Sequence, residues 1–391
     1  MSRALPFTDG ERVELIALRR DLHCHPELSW QETRTQQTLE RFLRSHGITD
    51  VEPIARTGLV ARIPGRDASA PPVALRGDID ALPIDEATGL PYASETPGVM
   101  HACGHDVHAS WAAGAALLLA REPAPSEVRI VFQPAEEVGE GALAVLESNA
   151  LEGVRAIFGA HVDRRFSLGE VVAQAGPLAA STDTFTITLH GAGAHGARPQ
   201  ESADPVVGAA DLILALQTIV SRRLDPARPG VVTVGTVHAG RAPNVIPESA
   251  ELSGTIRATT PETRALLTGE VERIAHAVAA TYRLRATVVL SEGTPPVVNE
   301  ARASLLAAQA ARAVLGDDAV VPLGTTNMGG EDFAFYLERM PGCFLRVGAR
   351  EHGGDVIAAH SPRFQPDEEA LFIGAAVLAQ CARMAGETLA S

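Results

Sequence analysis

Residues 183–189 read Asp183-Thr184-Phe185-Thr186-Ile187-Thr188-Leu189. Polar and apolar residues alternate, so Phe185, Ile187 and Leu189 share one face of a strand. A long helix is predicted next, over 204–222, with Pro205 at its start. Strands follow at 231–237 and 251–257, then a helix at 261–282 and a strand at 284–290. The order β-α-β-β-α-β is that of the ferredoxin-like split unit. Such a unit is complete in itself, so residues 181–292 are predicted to form an inserted α+β domain.

On either side of the insertion the style differs. Helices are predicted at 11–21 and 32–46, and a buried strand at 73–75 runs into a loop over 76–83. A helix at 108–121, a strand at 128–132, a helix at 141–148 and a strand at 156–159 follow. After the insertion come helices near 300–315 and 332–339, a strand at 344–347 and a last helix from Asp367. This rhythm predicts an α/β domain, a parallel or mixed sheet covered by helices. That domain is expected to be discontinuous, formed by 1–180 and 293–391.

At 391 residues the chain exceeds one ordinary core, which also favours two domains. Hydrophobic residues make up 46% and charged residues 21%, a globular profile. A net charge of −15 repels phosphate backbones and argues against nucleic acid. There is no lysine, so all 33 basic residues are arginines. The first eleven residues show no secretory pattern. The apolar run 111–120 is about half the length of a membrane span. Cys24, Cys103, Cys343 and Cys381 are scattered and suggest no disulfide framework. A reducing cytoplasm and no membrane are therefore expected.

Five metal-capable residues stand at or after predicted strand ends: Cys103, His105, Glu137, His161 and His360. Open α/β sheets bind ligands beyond the carboxyl ends of their strands. A thiolate, imidazoles and a carboxylate suit zinc or a similar first-row ion, not magnesium or calcium. Five ligands exceed the usual three of an open catalytic ion, so two ions sharing a ligand is the simpler account. Glu136 and Glu137 are adjacent, so they point in different directions from an extended loop. We expect Glu137 to bind metal and Glu136 to act as general base.

The chain resembles the M20 family of peptidases and amidohydrolases, in its amidohydrolase branch. That branch includes hippurate hydrolases, N-acyl amino acid amidohydrolases and auxin-conjugate hydrolases. The resemblance rests on Leu22-His23-Cys24-His25-Pro26-Glu27-Leu28-Ser29, on Leu75-Arg76-Gly77-Asp78-Ile79-Asp80-Ala81-Leu82-Pro83 and on Met100-His101-Ala102-Cys103-Gly104-His105-Asp106. It continues through Gln133-Pro134-Ala135-Glu136-Glu137, Gly193-Ala194-His195-Gly196-Ala197 and Asn244-Val245-Ile246-Pro247. Gly254-Thr255-Ile256-Arg257 and Met328-Gly329-Gly330-Glu331-Asp332-Phe333 complete it.

The resemblance implies a catalytic domain with an inserted lid that dimerises. It implies metal-dependent hydrolysis of N-acyl amino acids or related small amides, with two divalent ions held by the five ligands above. Zinc or manganese is expected, with cobalt or nickel as alternatives. Glu136 matches the general base, and His195 a histidine that steadies the developing oxyanion. Asn244 and Arg257 match positions that hold a substrate carboxylate. Asp80 matches an aspartate near the metals that can orient a ligand imidazole. A homodimer or homotetramer is expected. A dipeptidase or aminopeptidase on the same scaffold, or a non-catalytic binding protein, is the alternative. Gln200 after Pro199, Val107, and the segment Val162-Asp163-Arg164-Arg165 depart from the common pattern, which bears on specificity and not on the ligands.

Overall fold

Thr8 starts the first helix, α1 (Asp9–Cys24), with a reciprocal cap. Its hydroxyl accepts the Glu11 N–H at 3.2 Å, and Glu11 accepts the Thr8 N–H at 2.7 Å. The structure, a computed structural model, describes residues 4–390. Helix α2 (Thr33–Ser45) has no side-chain cap of its own. Glu27 takes that part, accepting the N–H groups of Arg34 at 3.1 Å and Thr35 at 2.8 Å.

A hairpin of β1 (Val51–Ile54) and β2 (Gly58–Ile63) follows, unannounced by the sequence patterns read above. Then come β3 (Val73–Asp78), α3 (His105–Arg121), β4 (Val128–Gln133), α4 (Gly141–Glu147) and β5 (Ala156–Ser167). Strand β3 is longer than expected, and β5 runs eight residues beyond Gly159. Two short strands, β6 (Val171–Val172) and β7 (Gly176–Ala179), lead to the insertion.

The insertion contains β8 (Asp183–His190), β9 (Ala194–His195), α5 (Pro205–Thr218), β10 (Gly230–Ala239), β11 (Val245–Ile246), β12 (Ser249–Ala258), α6 (Pro261–Thr281) and β13 (Arg285–Ser291). Asp204 before Pro205 and Thr260 before Pro261 cap the two helices, with proline where its missing N–H is harmless. The chain ends with β14 (Val297–Asn299), α7 (Ala301–Leu315), α8 (Ala334–Leu337), β15 (Gly342–Arg350) and α9 (Glu369–Ala390).

The larger sheet has the order β1-β2-β4-β3-β5-β15-β6. Its four central strands β4, β3, β5 and β15 are parallel, and the flanking pairs are antiparallel. Helices α3 and α9 pack closely: a Cβ on Gly374 would lie 2.3 Å from the Trp111 ring. Leu117, Leu371 and Leu378 belong to the same core. Two compact units result. One takes the chain up to Gly176, with Asn299–Thr325 and everything from Asp332 onward. The other takes Pro177–Val298 and Thr326–Glu331.

The smaller unit has an antiparallel sheet of order β10-β12-β8-β13, the arrangement of a split β-α-β-β-α-β unit. Phe185, Ile187 and Leu189 face a separate core with Leu212, Leu252 and Leu267. Helix α5 also presents Val206, Val207 and Leu214 to solvent, Leu214 at 70% exposure.

Candidate metal centre

Gly104 sets the first pair of candidate ligands. Its φ is 90°, and a Cβ there would lie 2.5 Å from Val162 Cγ2, so glycine is required. The turn leaves Cys103 just before it and makes His105 the first residue of α3. His161 lies on β5, and Glu136 and Glu137 follow β4 by a few residues. His360 is held to the same region by its N–H, which donates to Ala102 O at 2.8 Å.

These side chains meet within the larger unit. Donor atoms of Cys103, His105 and His161 lie within 4.8 Å of one another, and all three residues are buried. Cys103, Glu137 and His360 form a second such group, and His105, Glu136 and Glu137 a third. Cys103 Sγ is 3.1 Å from His161 Nε2. All five expected ligands and Glu136 thus fall in one cluster, with Cys103 common to two triplets.

Neighbours fix the ring orientations. His105 Nδ1 lies 2.8 Å from Asp80 O and 3.2 Å from Asp80 Oδ1, which turns Nε2 toward the cluster. Asp80 Oδ2 accepts the Glu137 N–H at 3.0 Å and the Ser29 hydroxyl at 2.7 Å. His161 Nδ1 donates to Val162 O at 2.6 Å, leaving Nε2 as the free donor atom.

The electrostatics call for a cation. Burial, then the charge of Glu137, pushes the Cys103 thiol well up. Burial raises Glu137 to about 7, a shift opposed by His105. Burial disfavours charge on His105, yet Asp78, Cys103 and Asp80 outweigh it and push it up. Burial, with His108 and Arg346, pushes His161 well down, so its ring is neutral. His105 Nε2 and Glu137 Oε1 are both buried without a hydrogen-bond partner, and they lie 3.8 Å apart. That is too long for a hydrogen bond and leaves two donor atoms facing one gap. Thiolate, imidazole and carboxylate groups so placed fit zinc or another first-row divalent ion.

The other expected residues lie in the smaller unit. His195 pairs with Val245 in the β9–β11 ribbon, and Asn244 O accepts the Gly196 N–H at 2.8 Å. His195 Nδ1 accepts the Ala197 N–H at 3.0 Å, which places the proton of the neutral ring on Nε2. Arg257 NH1 reaches Ile256 O at 3.1 Å and Asp183 O at 3.4 Å.

Several supporting residues had no role in the sequence reading. Arg76 donates from Nε to Gln133 Oε1 at 2.8 Å and from NH2 to Asp332 Oδ1 at 2.9 Å, and it is paired with Asp78. Asp332 also accepts the Ala142 N–H at 2.9 Å, so this network grips both ends of the Glu136–Glu137 loop. His108 Nδ1 is 2.6 Å from Asp78, and its Nε2 accepts the Val162 N–H at 2.9 Å. His23 lies 2.9 Å from Asp106 and 3.2 Å from Glu86. Arg76, Asp78, Asp332 and His23 all sit in quoted motifs, which was their only signal. His101 is buried with neither ring nitrogen bonded, and burial pushes it down to about 4.

Comparison with known proteins identifies the family. The chain is 42% identical over 380 residues to N-acetylcysteine deacetylase of Bacillus subtilis, covering 96% of this chain and 98% of that one. It is 39% identical over 375 residues to IAA-amino acid hydrolase ILR1-like 5 of Arabidopsis thaliana, covering 94% and 86%. Its fold is similar to the crystal structure of the Bacillus subtilis YXEP protein, described as a dinuclear metal binding peptidase from the M20 family. That match has a TM-score of 0.87 and 37% identity, and covers 97% of this chain and 100% of that one. Residues 74–384 match the family described as Peptidase family M20/M25/M40. With four-fifths of its length matched and a cluster of metal-capable side chains at its strand ends, the chain belongs to peptidase family M20/M25/M40, whose members hydrolyse amide bonds.

Proposed function

We infer that the protein hydrolyses the amide bond of N-acyl amino acids or related small amides, using two divalent ions. The observation that carries this reading is the pair of triplets sharing Cys103. Cys103, His105 and His161 would hold one ion, and Cys103, Glu137 and His360 the other. Zinc or manganese suits these donors. When bound, such ions polarise a carbonyl and make water more acidic.

The remaining work falls to side chains. Glu136 lies 3.8 Å from His105 Nε2 and is assigned as general base. It takes the proton of the attacking water and passes it to the departing amine. His195 is assigned to the developing oxyanion, a role that its Nε2 proton suits. Asn244 and Arg257 are assigned to the substrate carboxylate, for which guanidinium geometry is suited. The relatives named for N-acetylcysteine and IAA-amino acid conjugates support a substrate with an acylated amine. The smaller unit is assigned to dimerisation, supported by the exposed apolar residues of α5.

The test is release of amino acid from a panel of N-acetyl and N-benzoyl amino acids and dipeptides, with and without chelator. Chelator-sensitive release from the acylated compounds is expected. Release from dipeptides alone would make the protein a dipeptidase or aminopeptidase. Glu136→Gln should lower kcat by about 10²–10⁴ with metal content unchanged. Wild-type turnover in that variant would remove Glu136 from the mechanism.

A further inference from the structure

Ala135 directly precedes the Glu136–Glu137 pair and has φ 53°, the left-handed region that L-residues avoid. A residue held there is strained and persists only where its surroundings enforce it. Ala135 is fully buried, so both of its peptide groups need partners. Its carbonyl accepts the Gly141 N–H at 3.1 Å. Its N–H donates to Glu32 Oε1 at 2.8 Å, a residue 103 positions earlier.

Glu32 is itself fully buried. Its second oxygen accepts the Thr57 hydroxyl at 2.6 Å. Among the described residues it forms no ion pair, so these hydrogen bonds are what compensates its burial. Thr57 follows Ala55 and Arg56, whose φ values are 45° and 65°, and Trp30, two residues before Glu32, has φ 66°. Ala55 and Arg56 form the turn of the β1–β2 hairpin, and Ala135 is the positive-φ residue whose peptide Glu32 itself bonds.

We propose that Glu32 is a positioning residue: by holding the Ala135 N–H it keeps the left-handed turn that aims Glu136 and Glu137 at the metal cluster. The proposal rests on the reading of those two glutamates given above. Without the acceptor, the Ala135 peptide would be left unpaired in the interior and would relax toward negative φ. The following peptide would rotate with it and carry both carboxylates away from His105 and Cys103. A displacement of about 1 Å at a reacting group lowers rate by about 10²-fold.

The experiment measures zinc affinity by competition with a chromophoric chelator, alongside kcat, in the full-length protein and in variants at Glu32, Ala135 and Glu137. Glu32→Ala should weaken zinc about 10–100-fold and lower kcat in step. Glu32→Gln, which keeps an acceptor for the Ala135 N–H, should stay within about threefold of wild type. The decisive variant is Glu32→Ala with Ala135→Gly. Glycine adopts φ 53° without strain. It should therefore recover most of the lost affinity, although it restores no contact of Glu32. If Glu32→Ala does not fold, Glu32→Asp carries the same test, because its shorter carboxylate cannot span to Ala135 N. Wild-type zinc affinity in Glu32→Ala, or no recovery with the added glycine, would overturn the proposal while leaving the metal site standing. Wild-type affinity in Glu137→Ala would instead overturn the reading of the site, and the proposal with it.

Discussion

Strand β3 of the seven-stranded sheet is buried along its whole length, whereas β8 of the four-stranded sheet buries only alternate residues. The outward positions of β8 are Thr184, Thr186 and Thr188, which water can satisfy. The polar residues of β3 are Arg76 and Asp78, both fully buried. A buried polar group must be paired, so Arg76 and Asp78 recruit Gln133, Asp332 and His108. Those partners in turn fix the strand ends where the candidate ligands stand. Strain follows the same division. Of the seven non-glycine residues with positive φ among the described residues, six lie in the larger unit and Arg283 in the smaller. One sheet is regular and self-contained; the other spends its interior on holding a site.

The contrast can be broken by mutation. Asp332→Ala removes an acceptor that buried Arg76 and Gln133 share and should destabilise the protein by about 3–5 kcal/mol in urea unfolding. It should also weaken zinc binding, because the Glu136–Glu137 loop loses an anchor. Ile187→Ala in the smaller unit should cost about 3 kcal/mol through the cavity it leaves. Zinc affinity should not change in that variant. Equal loss of zinc affinity in the two variants would show that the units do not divide the work as described.

A smaller effect concerns pH. Burial opposes charge on Glu86, but His23, Thr88 and Ser94 overcome it and hold it at about 2, below its ordinary 4.5. A depressed carboxylate stabilises the fold above its unfolded pKa and loses that contribution as pH falls from about 4.5 to about 2. Burial likewise opposes charge on His23, and Asp106 and Glu86 push its pKa up. Its contribution is complete below the ordinary 6.5 and fades as pH rises through the raised value. The stability difference between wild type and Glu86→Gln should be about 1 kcal/mol between these limits. It should shrink at both ends of a thermal unfolding series. A difference independent of pH would remove the ion pair from the account.

Legibility in the sequence divided along the same line. The smaller unit was readable because Phe185, Ile187 and Leu189 carry a period-two signal, and proline marks both helix starts. The candidate ligands were proposed from metal-capable residue types at or after predicted strand ends, and the structure brings their donor atoms together. The β1–β2 hairpin was silent, since its turn is Ala55-Arg56 and not the Asn-Gly or Asp-Gly that normally announces positive φ. The extension of β5 was hidden by Asp163, Arg164 and Arg165, which look like a loop. In the structure, Arg164 reaches Glu351 and Arg165 pairs with Asp163. Glu32 read only as a helix start, because its partners Thr57 and Ala135 are 25 and 103 residues away. Pairings at such separations leave no periodic trace.

The middle of the larger sheet has a consequence for how the molecule comes into being. Strand β15, from near the end of the chain, lies beside β5, and α9, the last helix, packs against α3. His105 begins α3, and His360 lies between β15 and α9. On a ribosome, the β-α-β-β-α-β segment 183–291 emerges as one continuous stretch with a core of its own. Its fold can form while the surrounding sheet is still missing a central strand. The candidate ligands cannot be gathered until the last third of the chain has been made, so any metal they hold would be loaded late in the life of each new molecule.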